Sequence, residues 1–481
     1  MKKQAFNPYL PSWEYVPDGE PYVFGDRLYV FGSHDAFNGE EFCVNDYVCW
    51  SAAVDNLGDW KCHGVIYRGA QDPKNTKQDE HMNAPDVCVG PDGRYYLYYQ
   101  LHREIFTSVA VADRPEGPYA FYGHVQHPDG TLYGQQKGDA FAFDPAALLD
   151  EDGRVYLYTG FSPEKGFMRF IMGLRGGKLD GGYVVELEQD MMTVKGVQYD
   201  TIPGPVAAKG TAFEAHPFFE ASSIRKIGGR YYLVYSSILS HELCYASSNS
   251  PLGPWTYGGV IVSIGDIGYH GNKIAKNYLG NTHGGMVEVN GQWYIFYHRQ
   301  TNKRKCCRQG CAEKITIADD GSIAQVEVTS CGLNNGPLSG TGTYEARIAC
   351  NLGCDKPAFA YLKTQEKDTD HPYFTQSGND REDNPDQYIA NMRSGAWAGF
   401  KYFAFRGENK ICLRLKGDGE GKMRISTQQN GEPIAEVAIS AATDWADFDA
   451  PMKKLEGVHG IFVQYEGSGY VDFNSITMRR A

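Results

Sequence analysis

One short pattern recurs five times in the first two thirds of the 481-residue chain, and it restricts the fold more than any other feature. It reads Gly25-Asp26-Arg27-Leu28-Tyr29-Val30-Phe31, then Gly93-Arg94-Tyr95-Tyr96-Leu97-Tyr98-Tyr99, then Gly153-Arg154-Val155-Tyr156-Leu157-Tyr158. Gly229-Arg230-Tyr231-Tyr232-Leu233-Val234-Tyr235 and Gly291-Gln292-Trp293-Tyr294-Ile295-Phe296-Tyr297 complete the set. A glycine turn running into aromatic and β-branched residues is a hairpin that feeds a buried strand. The spacing of roughly 60 to 75 residues leaves room for about four strands per unit, the size of a propeller blade. No long segment has the periodicity of a crossover helix. The expected fold is therefore all-β, with a five-bladed β-propeller over residues 1–332. Gly, Asn, Ser and Thr dominate 333–342, which reads as a linker. Short alternating strands such as Ile411-Cys412-Leu413-Arg414-Leu415 then predict a β-sandwich of jelly-roll type over 343–481.

Charge and cysteine usage exclude several function classes. The net charge is -13, and the only short basic run is Lys303 to Lys305, so no nucleic-acid partner is expected. No apolar run reaches the length of a membrane span, and no membrane partner is expected. Lys2 and Lys3 are not followed by an apolar stretch, and twelve cysteines are spaced irregularly. Both features predict reduced thiols and a cytoplasmic location. Cys306, Cys307 and Cys311 lack the second pair that a zinc site needs. Oligomeric state leaves no signal in the sequence.

The chemistry lies just ahead of each repeat. Asp18, Asp86, Asp144, Glu220 and His283 precede their glycine-aromatic strands by nearly the same offset. Equivalent positions of a propeller are related by rotation, so the five are expected to ring one channel. Clustered acids repel and drive their pKa values apart, which costs stability. Hydrolysis of a glycosidic bond requires that division, with one carboxyl protonated and another ionised. Any one of these residues could instead cap a turn. Four acids at one repeat phase favour a site. From the residues alone, Asp86 and the aromatics Trp13, Phe37 and Trp50 are candidates for substrate contact.

Residues 6 to 330 resemble glycoside hydrolase family 43. The resemblance is carried by Pro17-Asp18, Ser33-His34-Asp35, Ala84-Pro85-Asp86-Val87, Phe143-Asp144-Pro145, Phe218-Phe219-Glu220-Ala221-Ser222 and Thr282-His283-Gly284. It implies Asp18 as general base, Glu220 as general acid, and Asp144 as a third carboxylate that orients the acid. It implies His283 as ligand of a central ion or water, with one structural calcium or other cation in the channel and no organic cofactor. Arg299 is implied as a substrate-pocket arginine. A register shift of two would place the base at Glu20. The C-terminal unit resembles a family 6 carbohydrate-binding module at Thr343-Tyr344-Glu345-Ala346 and Val471-Asp472-Phe473-Asn474-Ser475, with Trp397 as a candidate sugar platform. That unit is expected to support stability rather than chemistry. The implied substrate is an oligosaccharide derived from plant polysaccharide. The implied activity is inverting release of a terminal α-L-arabinofuranose or β-D-xylose. Galactofuranoside hydrolysis, a retaining fructoside-type enzyme and a non-catalytic sugar-binding propeller remain open.

Overall fold

The computed structural model describes residues 3–164, 166–357, 369–381 and 386–481. Five separate sheets follow one another along the chain. Four-stranded sheets begin at Glu20, Asp86, Ala146 and Phe218, and a three-stranded sheet begins at Met286. Every pairing within them is antiparallel between consecutive strands, so each is a meander and each is one blade.

The fifth blade departs from the expected four strands. It consists of Met286–Val289, Gln292–Thr301 and Arg304–Ile315. The N-terminal segment fills its outer edge. Tyr9 N–H donates to the Gly310 carbonyl at 3.2 Å, and Asn7 N–H donates to the Ser330 carbonyl at 3.0 Å. The Asn7 side-chain amide exchanges two bonds with the Ala312 backbone, each of 2.9 Å, as a strand neighbour would. A bridge between Gly19 and Gly284 joins blades 1 and 5 on the inner side. The ring is thus closed by the first residues of the chain.

The repeat is aromatic because its strand buries both faces. In blade 2, Tyr96 and Tyr98 pack against Val155 and Leu157 of blade 3, whereas Leu97 and Tyr99 pack against Phe31 and Cys49 of blade 1. Successive side chains of a strand point to opposite faces, so a blade held between two neighbours needs a continuous apolar run. Each side chain buried in this way contributes about 1.5–3 kcal/mol. The core of the ring is five such layers between blades.

The C-terminal strands form one hydrogen-bonded sheet of ten, wrapped round its own core from Leu338 to Met478. Two long strands, Trp397–Gly417 and Ala442–Ser468, run through it and are bent by several register shifts. Bulges of this kind let one strand serve both layers of a sandwich. Trp397 is buried and packs towards Phe462, with ring centroids 6.4 Å apart, so it is not presented as a flat platform.

Candidate active site

A cavity of about 340 Å³ opens at the end of the ring where the inner strands begin. Its walls bring together Asp18, Asp144, Glu220 and His283 from blades 1, 3, 4 and 5. Asp18 (φ 56°) and Asp144 (φ 47°) both adopt the left-handed backbone region, as does Ala221 (φ 70°) directly after Glu220. Short polar residues tolerate that region better than most, and strained backbone tends to gather where side chains must be aimed. Around Glu220 the strand Phe218–Ile227 slips register against its neighbour. The bulge turns the carboxyl into the cavity.

Asp18 is held as an anion. The Arg308 Nη1 group lies 2.9 Å from its Oδ1, and the Ser33 hydroxyl donates to Oδ2. Its backbone N–H donates to His298 Nδ1 at 3.2 Å. Burial opposes the charge, but Arg308 and the two neighbouring histidines outweigh it, and the Asp18 pKa falls below the usual range. Burial drives the His298 pKa down to about 3, so that ring is neutral at physiological pH. Arg308 and the protonated His283 are then the cations beside it. Arg308 is itself fixed by Asp35 at 2.8 and 3.0 Å.

Glu220 is held as an acid. It is partly exposed to the cavity, and its carboxyl makes no hydrogen bond within the described residues. Burial, and then repulsion from Asp144, lift its pKa to about 8. Asp144 accepts the Ala221 N–H at 3.2 Å and faces His283 Nδ1 at 3.5 Å. Burial raises the Asp144 pKa, against the pull of His283. Desolvation works against a charged His283, but Asp144, Asp18 and Glu20 prevail and raise its pKa to about 9. One anionic and one protonated carboxyl thus face the same cavity, as general acid–base chemistry requires.

Several candidates lie elsewhere. Asp86 is not in the cavity wall. It pairs with Tyr98 as the first residue of its inner strand, whereas Asp144 lies two residues ahead of Ala146, which pairs with the equivalent Tyr158. Asp86 therefore sits further along the channel. It accepts from Tyr22 Oη at 2.6 Å, its Oδ2 takes the Ala147 N–H at 2.8 Å, and burial raises its pKa to about 7. Glu20 lies in the same inner layer. Its Oε2 receives Arg225 Nη2 at 2.9 Å and Ser223 Oγ at 3.0 Å, so Asp18, not Glu20, faces the cavity. A side chain at Gly285 would collide with that carboxylate.

Arg299 is an interdomain residue. It donates to the carbonyls of Ala349 and Arg347 at 2.8 and 2.6 Å and covers the Phe374 ring at 3.8 Å. Trp13 and Trp50 pack against each other in the layer between blades 5 and 1, and Trp50 Nε1 donates to Glu14 at 2.9 Å. Phe37 packs on Tyr15. None of these four lines the cavity. Its apolar wall is instead Phe42, Phe141, Phe143, Phe161 and Phe219, and its arginine is Arg308. Two signals pointed there. Phe143 and Phe219 adjoin the acids in sequence, and Arg308 follows the only basic run of an acidic chain.

The channel beside His283 offers two orphaned buried atoms, His283 Nε2 and Glu20 Oε1, 3.8 Å apart. Arg225 already neutralises the other oxygen of Glu20. Calcium takes roughly six to eight oxygen ligands. The protein itself supplies only one nitrogen and one oxygen beside a guanidinium, short of a calcium shell unless water fills the rest, and the pair suits a hydrogen-bonding water.

The chain is similar to proteins already known. Residues 16–323 match Glycosyl hydrolases family 43. Over 482 residues the chain is 48% identical to a xylosidase/arabinosidase of Thermoclostridium stercorarium, covering 99% of each. A family 43 arabinoxylan arabinofuranohydrolase from Bacillus subtilis shares the fold over 99% of this chain and 97% of its own, at TM-score 0.52 and 20% identity. A family 43 β-xylosidase/α-arabinofuranosidase from a compost microbial metagenome, solved with xylotriose in a calcium-free form, covers 68% of this chain and 98% of its own, at TM-score 0.52 and 25% identity. The family match runs from the residues just before the first inner strand to beyond the last hairpin of the ring, and it leaves one assignment: the chain is a glycoside hydrolase and belongs to family 43.

Proposed function

We propose that the chain hydrolyses terminal α-L-arabinofuranosides or β-D-xylosides of plant-derived oligosaccharides, with inversion, in a single displacement. The opposed charge states of Asp18 and Glu220 in one cavity carry this reading. Glu220 gives its proton to the glycosidic oxygen as the bond to the anomeric carbon breaks. Asp18 takes a proton from a water on the opposite face, and that water oxygen bonds to the same carbon. Arg308 keeps the base ionised, and Asp144 keeps the acid protonated. The phenylalanine wall offers apolar contact to one sugar ring and excludes bulk water. The names of the Thermoclostridium and metagenome proteins support a pentose.

The reading assigns the chemistry to residues 1–332. Twelve free cysteines support a reducing compartment for it. Rates on nitrophenyl α-L-arabinofuranoside, β-D-xyloside, β-D-galactofuranoside and a fructoside, with proton NMR of the first-formed anomer, test it. A pentoside should lead, and the anomer should be inverted. A retained anomer or a clear preference for galactofuranoside would replace the proposal.

A further inference from the structure

Two propeller loops contribute to the cavity wall beside the blade residues already described, and both are held by the C-terminal sandwich. The first loop, residues 34–45, carries Asp35, Phe42 and Cys43. The second is the outer hairpin of blade 5, from which Lys305 and Arg308 reach the cavity. Asp35 joins them through its paired bonds to Arg308.

One short stretch of the sandwich touches both loops. Arg381 Nη2 donates to Glu14 Oε1 at 2.8 Å and lies against the His34 ring. Glu14 is 2% exposed and receives His34 Nε2 at 3.0 Å. Asp380 Oδ1 accepts the Phe37 N–H at 2.7 Å. On the second loop, Asn302 N–H donates to the Phe374 carbonyl at 2.7 Å, and Thr375 Oγ1 donates to Asn302 Oδ1 at 2.8 Å. Asn302 and Arg304 both donate to Asn38 Oδ1, each at 2.9 Å, which ties the loops together above the clamp.

We infer that residues 374–381 of the sandwich are a positioning clamp for the active site, with Arg381 as its key residue. Through Glu14, His34 and the 34–45 loop, Arg381 sets Asp35, and Asp35 aims Arg308 at Asp18. This rests on the reading of Asp18 as the base. Arg381 touches no group of the cavity wall, so its effect is indirect. A loosened Arg308 would stabilise the Asp18 carboxylate less, which raises its pKa. Small displacements of such groups cost up to about a hundredfold in rate.

The test uses the full-length chain. In Arg381→Ala, kcat should fall roughly ten- to a hundredfold with KM little changed. The acidic limb of its pH profile should move up by about one unit. Arg381→Lys should recover most of the loss, since a single charged contact is restored. Peptide mapping after thiol labelling gives a readout independent of turnover. Cys43 is buried on the first loop, and its labelling should quicken in Arg381→Ala. Unchanged labelling with unchanged kcat would overturn the clamp. Faster labelling with wild-type kcat and pH limb would overturn it too, provided Asp18→Asn is inactive. If Asp18→Asn stays active, the base assignment has failed instead.

Discussion

Glu220 and Asp18 differ because one faces Asp144 across a partly apolar wall and the other faces Arg308. Activity needs Glu220 protonated and is lost as pH rises through about 8. It needs Asp18 ionised and is lost as pH falls through that residue's depressed pKa. A bell-shaped kcat profile is expected, and Glu220→Gln should remove its alkaline limb. The same variant should lose roughly 100- to 10,000-fold on natural glycosides and much less on an aryl glycoside with a good leaving group. Equal losses on both would exclude Glu220 as proton donor. Stability carries the opposite sign. A carboxyl whose folded pKa is raised destabilises the fold increasingly as pH climbs from its unfolded value towards the folded one. Glu220→Gln should therefore melt higher than the parent at pH 9, with the gain shrinking to nothing near pH 4. Thermal scans at the two pH values check this. A constant gain across pH would trace it to packing rather than charge.

At the level of strands and turns, the repeat was legible because a blade packed on both sides must be apolar throughout. Depth along the channel was less so. Asp18 and Asp86 stand equally far ahead of their glycines in sequence. The first hairpin, however, turns between Phe24 and Arg27, whereas the second has a longer turn between Val89 and Tyr95. That difference draws Asp86 into the inner layer with Tyr22 and Arg225. Asp86→Asn should thus cost about 1–3 kcal/mol of stability through mismatched hydrogen bonds, measured by denaturant titration, and leave kcat within a few-fold. A rise in KM without loss of stability would restore it as a sugar contact. The aromatics lie outside the cavity wall for a related reason. Trp13, Phe37 and Trp50 look like sugar platforms in one dimension; only the neighbouring blade reveals that the two tryptophans are packed, and only the fold sets Phe37 on Tyr15. In the same inner layer, Arg225 neutralises the Glu20 carboxylate that faces His283. Dialysis against EDTA should leave both kcat and the melting midpoint unchanged. A loss restored by calcium would show that the His283–Glu20 gap binds metal.

Over the whole molecule, the sandwich is tied to the catalytic ring, and the proposed clamp adds a positioning role to the stability expected of it. Removing residues 337–481 would strip Arg299 of both its carbonyl partners and the 34–45 loop of Asp380 and Arg381. Orphaning a buried guanidinium costs about 1–3 kcal/mol or more. The truncated protein should melt lower by circular dichroism, and its folded fraction should turn over at least tenfold more slowly. Full kcat in a folded truncation would return the sandwich to a supporting role. The bond pattern of Asn7 and Tyr9 bears also on how the enzyme is made. These residues leave the ribosome well before their partners Gly310, Ala312 and Ser330, which emerge some 300 residues later. At about 5–20 residues per second, that interval is roughly 15–60 s. Throughout it, Leu28, Val30, Val48 and Trp50 of blade 1 wait for the last blade to cover them. The nascent chain therefore carries an open apolar face that chaperones can engage. It also has no working pocket until the end, because His283 and Arg308 arrive with the same blade that closes the ring.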